Sequence, residues 1–166
     1  MSISIVRTRM SHRKMSRTLN CPAQPVSGDL LPSMTQSTVR RSVSSSSPWE
    51  ATVGYCRAVR KGTYIAVSGT TSIDQDTGLV AHKGDAYLQT KHILSLISQT
   101  LKSLDASIED VIRTRMFVTN IKDWEQVGKA HGEIFGNIRP AATMVEVKGL
   151  IDPDLLVEIE VDAIVG

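Results

Sequence analysis

Between residues 157 and 163 the chain alternates strictly, with Val157, Ile159, Val161 and Ala163 at odd positions and Glu158, Glu160 and Asp162 at even ones. A period of two is the signature of a half-buried β-strand, so one face packs a core and the other carries carboxylates. A strand over about 155–164 follows, preceded by another over about 142–148 that is entered through Pro140-Ala141. Residues 55–59 and 64–68 are β-rich and separated by Arg60-Lys61-Gly62-Thr63, which reads as a hairpin with glycine at its tight position. The stretch 111–119 alternates too, placing Ile112, Thr114, Met116 and Val118 on one face and Arg113, Arg115 and Phe117 on the other. Two segments carry helical spacing instead. From Asp85 to about Leu104 the apolar positions Leu94, Ile97, Leu101 and Leu104 recur at helical intervals, with Asp85 suited to the positive helix start. From Asp123, a natural N-cap, to about Phe135, Trp124, Val127, His131 and Ile134 form one stripe. Asp74-Gln75-Asp76-Thr77-Gly78 marks a loop.

The order β-β-α-β-α-β-β predicts an α+β layer with both helices on one face of a mostly antiparallel or mixed sheet. Its other face then presents Arg113, Arg115, Phe117, Glu158 and Glu160, an amphipathic mixture more typical of an interface than of a free surface.

Composition changes this picture mainly at the N-terminus. The chain of 166 residues, 41% of them hydrophobic, has room for one ordinary domain plus an appendage. The net charge of +2 is unevenly distributed: residues 1–41 hold seven Lys or Arg against the single Asp29, leaving 12 basic and 16 acidic residues in the remainder. A basic Ser/Arg-rich extension over 1–48 therefore precedes an acidic domain over 49–166, with Ser44 to Pro48 as linker. The extension lacks the apolar run of a secretory signal and suits either a transit peptide or a disordered extension, with Met34 as an alternative initiator. A cytoplasmic or mitochondrial location is expected, with no membrane span. The acidic domain and 4% aromatic content argue against a nucleic-acid partner, which needs clustered cations and stacking platforms. Cys21 and Cys56 make no disulfide framework, and His12, His82, His92 and His131 stand at no metal-ligand spacing. No P-loop or G-x-S-x-G elbow occurs, so Ser68 has no triad pattern to serve as a nucleophile.

The run Y-C-R-A-V-R-K-G-T-Y-I-A-V-S-G at 55–69, the Pro-Ala strand entry and V-E-I-E at 157–160 together resemble the Rid family, the YjgF-like deaminases of reactive imines and enamines. The resemblance spans about 49–165. It implies a chorismate-mutase-like fold, a homotrimer whose sheets close into a central barrel, ligand clefts between subunits, and chemistry without metal or organic cofactor. It also implies that Glu158 positions or deprotonates the attacking water, that Tyr55 lines the cleft, and that backbone groups at Ser68-Gly69 orient the ligand. A strand glutamate in a partly buried cleft acquires a raised pKa and becomes a usable base; the bland alternative is an ion pair with a strand arginine.

Departures from the family pattern bear on substrate. Where the deaminases read P-A-R, this chain reads Pro140-Ala141-Ala142, so the arginine that grips a substrate carboxylate is replaced by Ala142. A charge-assisted hydrogen bond contributes roughly 1.5–3 kcal/mol, about one to two orders of magnitude in affinity. Arg139 is offset by an odd number of residues and held next to Pro140, and so cannot simply substitute. Gly128 and Met144 fall where family members often carry a cleft asparagine and a cysteine. Arg113 and Arg115 are the candidate replacement donors, or else cross-strand partners of Glu158 or Glu160. His131 reads as a core histidine on an apolar stripe. The expected function is hydrolysis of a reactive imine or enamine to ammonia and a carbonyl compound. The alternative is a non-catalytic metabolite-binding trimer, and a ribonuclease comes third.

Overall fold

The computed structural model describes residues 39–45 and 47–166. The expectations for residues 1–38, including a transit peptide, an initiator at Met34, His12 and Cys21, lie outside the described residues. Six strands form one sheet: β1 (Arg40–Val43), β2 (Ala58–Lys61), β3 (Tyr64–Thr71), β4 (Val111–Val118), β5 (Ala141–Glu146) and β6 (Val157–Ile164). Their spatial order is β1-β2-β3-β6-β4-β5, antiparallel throughout except for the parallel β4–β5 pair. Three helices accompany them: α1 (Trp49–Val53), α2 (Ala86–Lys102) and α3 (Trp124–Phe135). This is the expected α+β arrangement, a sheet whose core face is covered by the two long helices.

Alternation decides which residues reach that core. In β6, Val157, Ile159, Val161 and Ala163 are all buried, and they meet Ile65 and Val67 of β3, Met116 and Val118 of β4, and Ile93, Leu94, Ile97 and Leu101 of α2. The helix starts where Asp85 accepts a hydrogen bond from the Leu88 amide at 2.8 Å, satisfying one of the free N–H groups of the first turn. Inside the core, Gln89 is fully buried. Its amide nitrogen donates to the carbonyls of Asp154 at 2.8 Å and His82 at 3.3 Å, and its oxygen accepts from the Leu156 amide at 2.8 Å. One side chain thus pins the loop before β6 onto α2.

Several details differ from the sequence expectation. A register shift between Val111 and Arg113 lets Val111 take the buried position, leaving Ile112 46% exposed rather than aligned with Thr114 and Met116. Asp123 makes no side-chain cap. Instead a 3-10 turn (Ile121–Asp123) begins at Asn120, whose side chain accepts from the Lys122 amide at 3.1 Å and leads directly into α3. Trp124 is 56% exposed, and Val127, Ala130 and Phe135 supply the buried stripe. The hairpin is tighter than the expected four-residue loop, because Lys61 pairs with Tyr64 across Gly62-Thr63 and Gly62 takes the left-handed φ of 62°.

The sheet also begins earlier than the boundary expected at residue 48. Arg40–Val43 pairs antiparallel with β2 as the edge strand, and α1 follows in place of an open linker. Glu50 on α1 is buried and accepts from the Ser45 amide and hydroxyl at 2.8 and 2.7 Å. Burial alone would raise its pKa, but these hydrogen bonds, helped by Ser44 and the charge of Arg57, hold it below the usual value. Among the described residues no helix is long and apolar enough to cross a membrane.

The Gln89 network gives a stability prediction. Gln89→Met keeps the volume while leaving the Leu156 amide and the Asp154 carbonyl unpaired, so urea denaturation should show a loss of about 2–4 kcal/mol. A change below ~0.5 kcal/mol would mean that these groups find other partners.

Candidate functional site

The candidate site residues cluster on the face of the sheet away from the long helices. Cross-strand register arranges it in rows: Thr71, Glu158 and Phe117 in one, Glu160 and Arg115 in the next, then Ala66, Asp162 and Arg113. The three acids of β6 have different fates. Arg115 bridges Glu160 at 2.7 Å and Asp162 at 3.0 Å, and Arg113 lies 4.0 Å from Asp162. Asp162 also accepts from the Tyr64 hydroxyl at 2.6 Å, which raises the pKa of that phenol. Glu158 takes part in none of these bonds and makes no hydrogen bond or ion pair with any described residue. Cross-strand pairing of the arginines, one of the two readings the sequence allowed, is therefore what the chain adopts, with Glu160 and Asp162 and not with Glu158.

What seats Glu158 is a break in β3. Pairing with β6 shifts between Val67 and Thr70, so Ser68 and Gly69 bulge out of the ladder. The Glu158 carboxylate lies directly against Gly69: a Cβ built there would overlap Oε1 and stand 2.9 Å from Cδ. The glycine of the Ser68-Gly69 pair is thus needed for space, since its φ is not in the left-handed region. In this half-buried seat the Glu158 pKa is raised, chiefly because burial penalises the charged form; the nearby Arg57 charge opposes the shift and Glu160 adds to it.

Arg57 is the residue that sequence reasoning missed. Its Nη2 donates to the Gly69 carbonyl at 2.7 Å, so the same glycine touches both the acid and the guanidinium. Its Nε is buried and has no hydrogen-bond partner among the described residues. A signal existed, because alternation puts Arg57 on the same side as Tyr55 and Val59, but the strand starts only at Ala58 and a lone arginine at its entrance carries no motif.

The other expected residues lie around this centre with different engagements. Ser68 donates its hydroxyl to the Cys56 carbonyl at 2.8 Å and its amide to the Arg57 carbonyl at 3.0 Å, binding the bulge to β2. Tyr55 is partly exposed, with its hydroxyl 3.2 Å from that of Ser47. Ala142 pairs with Thr114, whose side chain faces the helices, so Ala142 and Glu158 lie on opposite faces of the sheet within one chain. Met144 shares the Ala142 face and packs on the core. Arg139 has φ of 54° and turns back to the Gly136 carbonyl at 3.2 Å. His131 sits 3.0 Å from the Thr114 hydroxyl with its pKa lowered by burial, as a core histidine would be. His92 contacts the Ser72 hydroxyl at 3.0 Å, and burial followed by the His82 charge lowers its pKa. Among the described residues no three metal-ligating side chains cluster.

Comparison with known proteins follows the same residues. The family model described as endoribonuclease L-PSP matches residues 45–165. An uncharacterised protein of Streptomyces coelicolor is 41% identical over 133 residues, 80% of this chain and 97% of that protein. The 3-aminoacrylate deaminase RutC of Acinetobacter baylyi is 34% identical over 105 residues, 63% of this chain and 82% of the enzyme. Among solved structures, a Mycobacterium tuberculosis member of the YjgF/YER057c/UK114 family superposes with a TM-score of 0.68 at 46% identity, covering 76% of this chain and all of that one.

Two predictions test the seat of Glu158. A carboxyl group whose folded-state pKa lies above its unfolded value favours folding while protonated and loses that contribution as pH rises through the folded pKa. Glu158→Gln, which never ionises, should therefore gain stability relative to the native chain as pH rises from about 4, the ordinary glutamate value, towards the raised folded-state pKa, with the two converging at the acid end. Urea midpoints across that range measure it, and a gap that shrinks with pH contradicts the assignment. Gly69→Ala should leave the fold intact, because the displaced atoms end a flexible side chain, yet expel the carboxylate towards solvent. Carboxyl-carbon NMR titration should then show the Glu158 pKa falling towards an ordinary glutamate value of about 4.3.

Proposed function

The chain belongs to the endoribonuclease L-PSP family, the YjgF or Rid proteins, and from that premise we propose that it hydrolyses a reactive imine or enamine to ammonia and a carbonyl compound. The observation that carries the reading is the unpaired, half-buried Glu158 carboxylate with a raised pKa, set beside Gly69 on the open sheet face. A base works best with a pKa near the operating pH, and desolvation moves Glu158 in that direction. In the reaction, Glu158 takes a proton from water as the oxygen attacks the C=N carbon. It returns the proton to nitrogen to give a carbinolamine; its hydroxyl proton then passes, again through Glu158, to nitrogen, and the C–N bond breaks with loss of ammonia as the carbonyl forms. An enamine first takes a proton at carbon and gives one up at nitrogen to become the imine. The likeness to the Acinetobacter baylyi 3-aminoacrylate deaminase, 34% identical over 105 residues, supports this class of substrate.

The reading includes assembly. A face bearing Tyr64, Val145 and Ile164, each more than 40% exposed, beside paired charges is suited to contact with other copies. Ala142 and Glu158, on opposite faces, can border the same cleft only if different copies supply them. A homotrimer with inter-subunit clefts meets both conditions. In this reading the basic residues ahead of the edge strand, 1–38, are an extension to a cytoplasmic or mitochondrial protein, and sequencing the mature N-terminus tests it.

A metabolite binder without turnover is the second reading, favoured by Ala142. Glu158→Gln separates the two. For a deaminase, ammonia release from freshly generated 2-iminopropanoate should fall by roughly 10²–10⁴-fold. Native protein that gives no acceleration over buffer with any imine or enamine removes the catalytic reading.

A further inference from the structure

Arg57 is the part of the site that the proposed reaction leaves unexplained. The guanidinium offers five N–H donors, and its one hydrogen bond among the described residues is from Nη2 to the Gly69 carbonyl. Its Nε is buried and unpaired, an arrangement that native proteins rarely keep without a ligand or water to satisfy it. The two acids that feel its charge do not quench it. Glu50 is already held by the Ser45 amide and hydroxyl, and no ion pair joins Arg57 to Glu158. Arg113 and Arg115 on this face are engaged with carboxylates.

We propose that Arg57 is the anion-holding residue of this site, taking the role vacated at Ala142 and fitting the cleft to imines that carry a carboxylate on the imine carbon. This rests on the deaminase reading for the reaction, though not for the binding. The geometry selects the substrate class. Gly69 presents its carbonyl to Arg57 and its Cα to the Glu158 carboxylate, so the cation and the base are separated by a single residue. In a 2-imino acid the carboxylate carbon is bonded directly to the C=N carbon, and the two groups need recognition points that are equally close. An anion here also meets the spare donors of a planar fork, the geometry that suits carboxylate best. Arg113 and Arg115, committed to Asp162 and Glu160, would have to break ion pairs to do the same.

The test measures binding, so it stands apart from turnover. Full-length protein is titrated with pyruvate, which carries the carboxylate, and with pyruvamide, which lacks the charge, by ligand-observed NMR. Arg57→Ala should weaken pyruvate by roughly 10–100-fold, as expected for losing a charge-assisted hydrogen bond, and pyruvamide by less than about 3-fold. Arg57→Lys keeps the charge but loses the fork; it should show a smaller loss, again confined to pyruvate, and it decides the matter if the alanine variant does not fold. Equal affinity of the native chain for the two compounds overturns the proposal, as does pyruvate binding that survives both substitutions. Arg57-dependent pyruvate binding without any ammonia release upholds it while removing the deaminase reading. Turnover of 2-iminopropanoate that is indifferent to Arg57 does the reverse.

Discussion

The contact between the Glu158 carboxylate and the bare backbone of Gly69 organises the candidate functional face of this molecule. It requires two separate features: a bulge that pushes Ser68 and Gly69 out of the β3–β6 ladder, and a residue at 69 without a Cβ. With any side chain there the acid would swing into solvent and lose the desolvation that raises its pKa. Ser68 stabilises the bulge by bonding to the Cys56 and Arg57 backbones, so its hydroxyl works in construction and is not free for chemistry.

Charge is distributed over this face with a clear division. Arg115 neutralises Glu160 and Asp162, Arg113 adds to the second, and Tyr64 closes the cluster. Exposed ion pairs of this kind contribute little stability individually, about 0–1 kcal/mol each. Their consequence is selective: they leave Glu158 as the one β6 acid without a counter-ion. Across Gly69 from it, Arg57 is also without a counter-ion. A carboxylate and a guanidinium that lack counter-ions, held close but not joined, form a pair that a polar ligand can complete.

The departure at Ala142 takes on a different meaning in this geometry. In one chain Ala142 faces the helices and Glu158 faces away from them, so loss of an arginine at 142 leaves the Glu158 seat untouched. Loss of the cation at 142 and retention of the carboxylate at 158 are therefore structurally independent, and the proposed anion-holding role of Arg57 lies on the Glu158 side.

Much of this was legible in the chain itself. The two faces of β6, the burial of Thr114, Met116 and Val118, and the span of α2 follow from alternation and helical spacing, which are local properties of the backbone. The resemblance of 55–69 and 157–160 to the Rid proteins pointed to Glu158, Ser68 and Gly69. Expectations failed where local rules compete or where distant segments meet. The bulge at 111–113 sent Ile112 outward because the irregularity breaks the alternation there, so that Val111 is buried while the residues from Thr114 on keep their expected faces. Asn120 displaced Asp123 as the capping residue because a 3-10 turn came first. Arg40–Val43 joined the sheet because β2 left an open edge. Which acid Arg115 would take, and that Arg57 would reach Gly69, depend on distances across strands 12 to 47 residues apart in sequence. Patterning along the chain assigns residues to faces; only the folded sheet, with its bulges and registers, determines which of them share a space.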